Sequence, residues 1–180
     1  MGISRIWGAT ADEVSREYPC DRFIDGGTTS WFRAVTVNAG PDTVFRWLCQ
    51  LKVGPYSYDL IDNPGKRSPR ELTPGVDELA VGQRFMRIFE LVDFEPDRQL
   101  TLRIDDRAAE WAFNKLAVTY AVHAEAPGVT RLVVKLAVST AGGPIRALTR
   151  PPLAWGDLLM MRHQLHRLAA LAEKTEKRPV

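Results

Sequence analysis

The chain predicts an α+β fold: a curved antiparallel sheet closed by one long C-terminal helix, with room between them for a cavity. Three observations carry this. Strict alternation of apolar and other residues runs through Gln99–Asp105, Trp111–Ala124 and Thr130–Ser139, the pattern of an antiparallel sheet with one buried and one wet face. Ala154, Leu158, Met161, Leu165, Leu168 and Ala172 step by three and four along a helix from about Pro152 to Lys174. Ahead of both stands a strand, helix and aromatic loop spanning Trp31–Asn63. One helix cannot cover so large a sheet face, so the sheet must curl. The enclosed space either holds a ligand or is filled as core, and both give this pattern.

Length and composition bound the rest. With 180 residues, 45% hydrophobic and 26% charged, the chain reads as one globular domain. A net charge of +2 gives no footprint for nucleic acid or an anionic membrane. No apolar run is long enough for a membrane span, and the N-terminus lacks the apolar core of a signal peptide, so a cytoplasmic protein is expected. The cysteines, Cys20 and Cys49, read as free thiols in a reducing compartment, with a disulfide as the alternative. No zinc-site spacing occurs, and neither a metal nor a cofactor is expected.

In chain order, residues 1–30 read as an arm packed along the outside of a domain over 31–175, with 176–180 as a tail. Thr10 and Glu13 have capping-box spacing, so a short helix follows from Ala11 to about Glu17 and stops before Pro19. The first strand is Trp31–Asn38, with Arg33, Val35 and Val37 sharing one face. Pro41 and Asp42 suit the first turn of a helix to Leu51, with Asn38 as a candidate cap and Val44, Phe45, Leu48 and Leu51 on its apolar face beside Trp47. Tyr56–Asn63 reads as a short helix, and the Pro- and Gly-rich stretch to Val81 as either a binding-site rim or a plain surface loop. Strands are expected at Arg84–Val92, Gln99–Asp105, Trp111–Ala124 and Thr130–Ser139, joined as a meander.

Several of these segments, in this order, resemble one known group. WGATADEV followed by PCD (Trp7–Val14, Pro19–Asp21), RAVTVNAGPDTVFRWLCQL (Arg33–Leu51), YSYDLIDN (Tyr56–Asn63) and VGQRF (Val81–Phe85) are similar to motifs of the polyketide cyclase/dehydrase-like (SRPBCC) members of the START/Bet v 1-like superfamily. The chain departs from the usual pattern at Gly40, Phe45 and Cys20. The resemblance implies a helix-grip fold with a deep hydrophobic cavity for small apolar ligands. It implies no single reaction, because the group includes cyclases, carriers and activators.

Read as chemistry, the residues offer walls more than a reaction. Trp47, Tyr58, Trp111, Tyr120, Trp155 and Met161 are the candidates to line or rim a cavity, with ordinary core packing as the alternative for each. An acid or base reaching a bound carbonyl compound has Asp59, Asp62, Asp157 and His163 as candidates, and loop capping is the plainer role for Asp59 and Asp62. Arg103 and Arg162 are candidate anchors for a ligand carboxylate, and His123 is expected to face solvent. Glycine-rich phosphate loops, nucleophile elbows and Cys–His pairs are absent from the sequence. Three functions follow in order: binding of a small hydrophobic molecule (lipid, polyketide or aromatic), a cyclase- or dehydratase-type enzyme, or a protein-interaction module of toxin or chaperone-activator type. The last predicts a large exposed apolar patch.

Overall fold

The computed structural model describes residues 2–57 and 67–177, with the backbone alone over 143–147 and 149–150. Among these, seven strands form one sheet in the order β1-β2-β7-β6-β5-β4-β3. They are β1 (Ile6–Trp7), β2 (Thr28–Val37), β3 (Arg84–Phe85), β4 (Phe89–Glu95), β5 (Gln99–Ile104), β6 (Leu116–Ala126) and β7 (Val129–Ser139). From β3 to β7 the chain is the expected antiparallel meander, and β2 closes it by pairing along its whole length with β7. The helices are α1 (Ala11–Ser15), α2 (Pro41–Cys49), α3 (Arg107–Phe113) and α4 (Gly143–Glu176).

The inward face is the one alternation predicts. Leu100, Leu102, Ile104, Leu116, Val118, Tyr120, Val122, Leu132, Val134, Leu136 and Val138 join one core with α2 and with Met161, Leu165, Leu168 and Ala172 of α4. The opposite face is not wet. Ala117, Ala121, Val133 and Ala137 lie under Tyr18, Cys20 and Ile24 in a second core. These outward residues are short, so the arm's one-turn helix Pro19–Phe23 settles directly on the sheet, and the Cys20 amide donates to the Thr119 hydroxyl at 2.9 Å. The sheet separates the two thiols: Cys20 lies in the outer core and Cys49 in the inner one, both free.

The arm is held by the residues of its WGAT motif. Trp7 stacks edge-on against His166 of α4 at 5.5 Å, with the Arg162 guanidinium over its ring. Gly8 has φ +75, and a Cβ there would run into the Ala34 carbonyl oxygen. Thr10 and Glu13 form the full capping box. Glu13 also takes Arg131 of β7 in an ion pair at 2.7 Å.

Four element boundaries differ from the sequence reading. β2 begins at Thr28 rather than Trp31. The stretch expected as one strand from Trp111 splits into α3 and β6, because Asp106 caps a helix by accepting from the Ala109 amide at 2.8 Å and Asn114 ends it with φ 70. Arg84–Val92 divides at Met86 and Arg87, both at positive φ. α4 starts at Gly143, not Pro152, and carries Pro151 and Pro152 inside it. Asn38 is no cap: Gly40 holds that place, and Asn38 donates to Glu173.

Candidate functional site

The site to consider is the interior between the sheet and the inward face of α4. Helical spacing puts Asp157, Met161, Gln164 and Leu165 on that face, and Tyr120 stands opposite them on β6. The Tyr120 hydroxyl donates to Gln164 Oε1 at 2.9 Å and lies 3.9 Å from Met161 Sδ. The Gln164 amide donates to the Pro55 carbonyl at 2.6 Å and reaches Met86 Sδ at 3.5 Å. A hydroxyl and a carboxamide are thus set deep in apolar surroundings, with two methionines beside them. Burial, with some help from the Asp157 charge, pushes the Tyr120 hydroxyl well above its usual pKa, so it remains a hydrogen-bond donor.

A second polar centre lies one turn up α4. Arg33, fully buried on the inward face of β2, pairs with Asp157 Oδ2 at 2.8 Å. Its guanidinium also donates to the carbonyls of Ser4, Arg5, Phe32 and Ala154, and its Nε is enclosed without a partner. Arg33 therefore ties the arm, the sheet and α4 together. Burial pushes the Asp157 carboxyl up to about 6, against the pull of Arg33. Asp157 was a sequence candidate. Arg33 was missed, although an arginine on the apolar face with Val35 and Val37 was the available signal.

The loop that carries the aromatic and acidic motif is anchored at both stems. Gln50 donates to the Tyr56 hydroxyl at 3.2 Å and to the Glu71 carbonyl at 2.7 Å, and accepts from the Thr73 amide at 3.2 Å. Tyr56 donates to the Pro69 carbonyl, and its amide donates to the Ser68 hydroxyl. The end of the helix motif and the start of the loop motif are therefore one hydrogen-bonded unit. Tyr58, Asp59 and Asp62 lie outside the described residues.

Of the remaining candidates, Trp47 is buried beside Tyr56 and donates to Thr175 at 3.0 Å, and Met161 is buried next to Tyr120. Trp111 and Trp155 are not brought to this interior; they are 80% and 50% exposed. His163 is exposed on the outward side of α4. Arg103 pairs with Glu90 at the surface, and Arg162 lies over Trp7. His123, expected to be solvated, is half-buried with its Nε2 enclosed and unpartnered, and burial lowers its pKa. The arm reaches this part of the outer face, where the charges of Arg16 and Glu13 act on the ring, so what alternation alone marks as wet is partly covered. An open cleft of about 200 Å³ lies between residues 70–72 and the C-terminal part of α4, lined by Arg70, Glu71, Leu72, Leu171, Lys174 and Thr175.

This order of sheet and helices can be placed among solved structures. A Mesorhizobium loti protein, MLL2253, matches with a TM-score of 0.53 at 16% identity, over 82% of this chain and 98% of that one. Norcoclaurine synthase from Thalictrum flavum, in complex with dopamine and hydroxybenzaldehyde, matches with a TM-score of 0.52 at 11% identity, over 84% and 90%. The chain has the helix-grip, Bet v 1-like fold. Ara h 8.0201 shares this helix-grip architecture with a TM-score of 0.51 at 10% identity, over 82% and 99%. No family model and no curated protein matches the sequence. At these identities the helix-grip likeness speaks for the fold, and the site must speak for function.

Proposed function

We propose that this protein binds a small, largely apolar molecule, a lipid, polyketide or aromatic compound, between the sheet and α4. The observation that supports this most is the Tyr120–Gln164 pair: a donor and an amide, buried among Met86, Met161 and Leu165 at the centre of the grip. Methionine walls repack at low cost, and the Tyr120–Gln164–Pro55 hydrogen bonds would exchange one partner for a polar group of the ligand. A ligand with an apolar body and one carbonyl or hydroxyl suits such a place. Norcoclaurine synthase, of the same fold, was solved in complex with dopamine and hydroxybenzaldehyde, which is in keeping with this reading. Two buried free thiols suit a reducing compartment, so a cytoplasmic location goes with it.

The test is native mass spectrometry of the purified protein with solvent extraction, followed by titration with the compound found. A stoichiometric apolar compound, whose retention falls in Gln164→Ala and in Met161→Trp, supports binding. A folded protein that carries nothing and gives no saturable binding of anilinonaphthalene sulfonate refutes it.

A second reading, an acid/base enzyme of cyclase or dehydratase type, is favoured by Asp157 alone: a carboxyl pushed to about 6, on the same helix face as Gln164. Turnover of the extracted compound that is lost in Asp157→Asn while binding persists would support it. Unchanged turnover in that variant would remove it.

A further inference from the structure

The Tyr120–Gln164 bond has a direction, and that direction limits what can replace it. Gln164 Nε2 meets the Pro55 carbonyl at 2.6 Å and Met86 Sδ at 3.5 Å. Both are acceptors, so the protons of the amide lie on that side. Its oxygen must then face β6, and Tyr120 must spend its single hydroxyl proton on it, at 2.9 Å. The other partner within reach of that proton is the Met161 thioether, a weak acceptor at 3.9 Å. Tyr120 is 1% exposed and Gln164 3%, so neither regains a lost bond from bulk solvent.

The two ends of the amide face different parts of the fold. Nε2 points to segments that follow α2 and β3, and both are pinned: the Met86 amide donates to the Leu51 carbonyl at 3.0 Å, and the Tyr56 amide to the Ser68 hydroxyl at 3.1 Å. Oε1 points across to the sheet. A molecule that parts α4 from β6 therefore meets the bond between Tyr120 and Oε1, not the Nε2 side. What takes the place of that bond has to satisfy both of its ends. A hydroxyl inserted there accepts from Tyr120 and donates to Oε1, and no group is left bare. A ketone, ether or carboxylate also accepts from Tyr120 but brings no proton, so Oε1 stays buried without a donor. A buried acceptor left unpaired costs more than an ordinary neutral hydrogen bond contributes.

Resting on the binding reading above and narrowing it, we infer that the molecule held between the sheet and α4 is an alcohol or a phenol, its hydroxyl inserted in series between Tyr120 Oη and Gln164 Oε1. Gln164 is then the residue that sets specificity, because its fixed oxygen demands a proton from whatever enters.

Isothermal titration of the full chain with two matched pairs tests this: 2-decanol against 2-decanone, and 2-naphthol against 2-methoxynaphthalene. Each pair shares an apolar body, and only the first member brings a proton. In every pair that binds, the hydroxyl compound should bind about tenfold tighter or more. Gln164→Met removes the acceptor and frees the Tyr120 proton, so the advantage should shrink to about threefold or less. Tyr120→Phe leaves Oε1 in need of a donor, so the advantage should persist. Circular dichroism checks that both variants fold, and the wild-type comparison stands without them. A wild type that takes the ketone or ether as well as the hydroxyl compound, as it would if Met86 gave way at Nε2, overturns the assignment and leaves binding intact. So does an advantage that survives in folded Gln164→Met. Saturable binding of none of the four overturns the binding reading and the assignment with it.

Discussion

Replacing Arg33 with methionine keeps a long apolar side chain on β2 but removes the cation that five oxygens share. Those are the carbonyls of Ser4, Arg5, Phe32 and Ala154, and Asp157 Oδ2. Removing one partner of a buried ion pair costs about 3–5 kcal/mol, chiefly because the other is left uncompensated. Asp157 keeps 18% side-chain exposure and can take up a proton, which points to the low end, about 3 kcal/mol. That is a large part of the roughly 5–15 kcal/mol that holds a domain folded. Asp157→Asn still presents an acceptor and should cost only about 1–2 kcal/mol. Arg33→Met/Asp157→Leu should then be more stable than the sum of the single changes predicts.

The sign with pH follows from Asp157. Its pKa goes from 3.8 to about 6 on folding, so the folded state holds the extra proton between those values. Its contribution is therefore full below 3.8 and is lost as pH rises through 6, by about 3 kcal/mol at most. Asp157→Asn removes that slope. Urea unfolding followed by tryptophan fluorescence, run from pH 4 to 7.5 on the four proteins of the cycle, measures all of this. An Arg33→Met protein within about 0.5 kcal/mol of wild type, or strictly additive variants, would show that the Arg33–Asp157 pair does not hold the arm, sheet and α4 together.

Cys20 and Cys49 are fully buried, and burial pushes both thiols up, Cys49 to about 12. Neither should react with Ellman's reagent in the native protein, and both should react in urea; fast native labelling would contradict the packing of the two cores. For Glu13, burial works against the charged form, but the bonds from Arg131 and from the Thr10 amide outweigh it and hold its pKa below 4.5. Its contribution is present above that value and lost as pH falls through the folded pKa, so Glu13→Gln should cost about 2 kcal/mol at neutral pH and progressively less as pH is lowered below 4.5, by urea midpoints. Gly8→Ala forces a Cβ into the Ala34 carbonyl at positive φ and should lower stability by about 1–3 kcal/mol, with hydrogen exchange rising first in the arm.

Where a period of two or 3.6 is driven by burial, the sequence was sufficient by itself. The inward residues of β5, β6 and β7, the inward stripe of α4, the meander and the capping box at Thr10 were all legible, because a side chain's face follows from its position in a regular element. The tertiary structure decided the rest. Alternation marked Ala117, Ala121, Val133 and Ala137 only as the other face of a sheet. That a chain segment one hundred residues earlier covers them depends on a long-range contact with no local period. Alternation put Arg33 on one face with Val35 and Val37 without saying which face is buried; Asp157 and the Ser4 and Arg5 carbonyls, arriving from both ends of the chain, are what hold it inside. Trp111 and Trp155 read as cavity residues because aromatic character alone does not say which way a side chain faces. Their direction was set when Asp106 capped a helix where a strand was expected, and when Ala154, Met161 and Leu165, rather than Trp155, turned α4 toward the sheet.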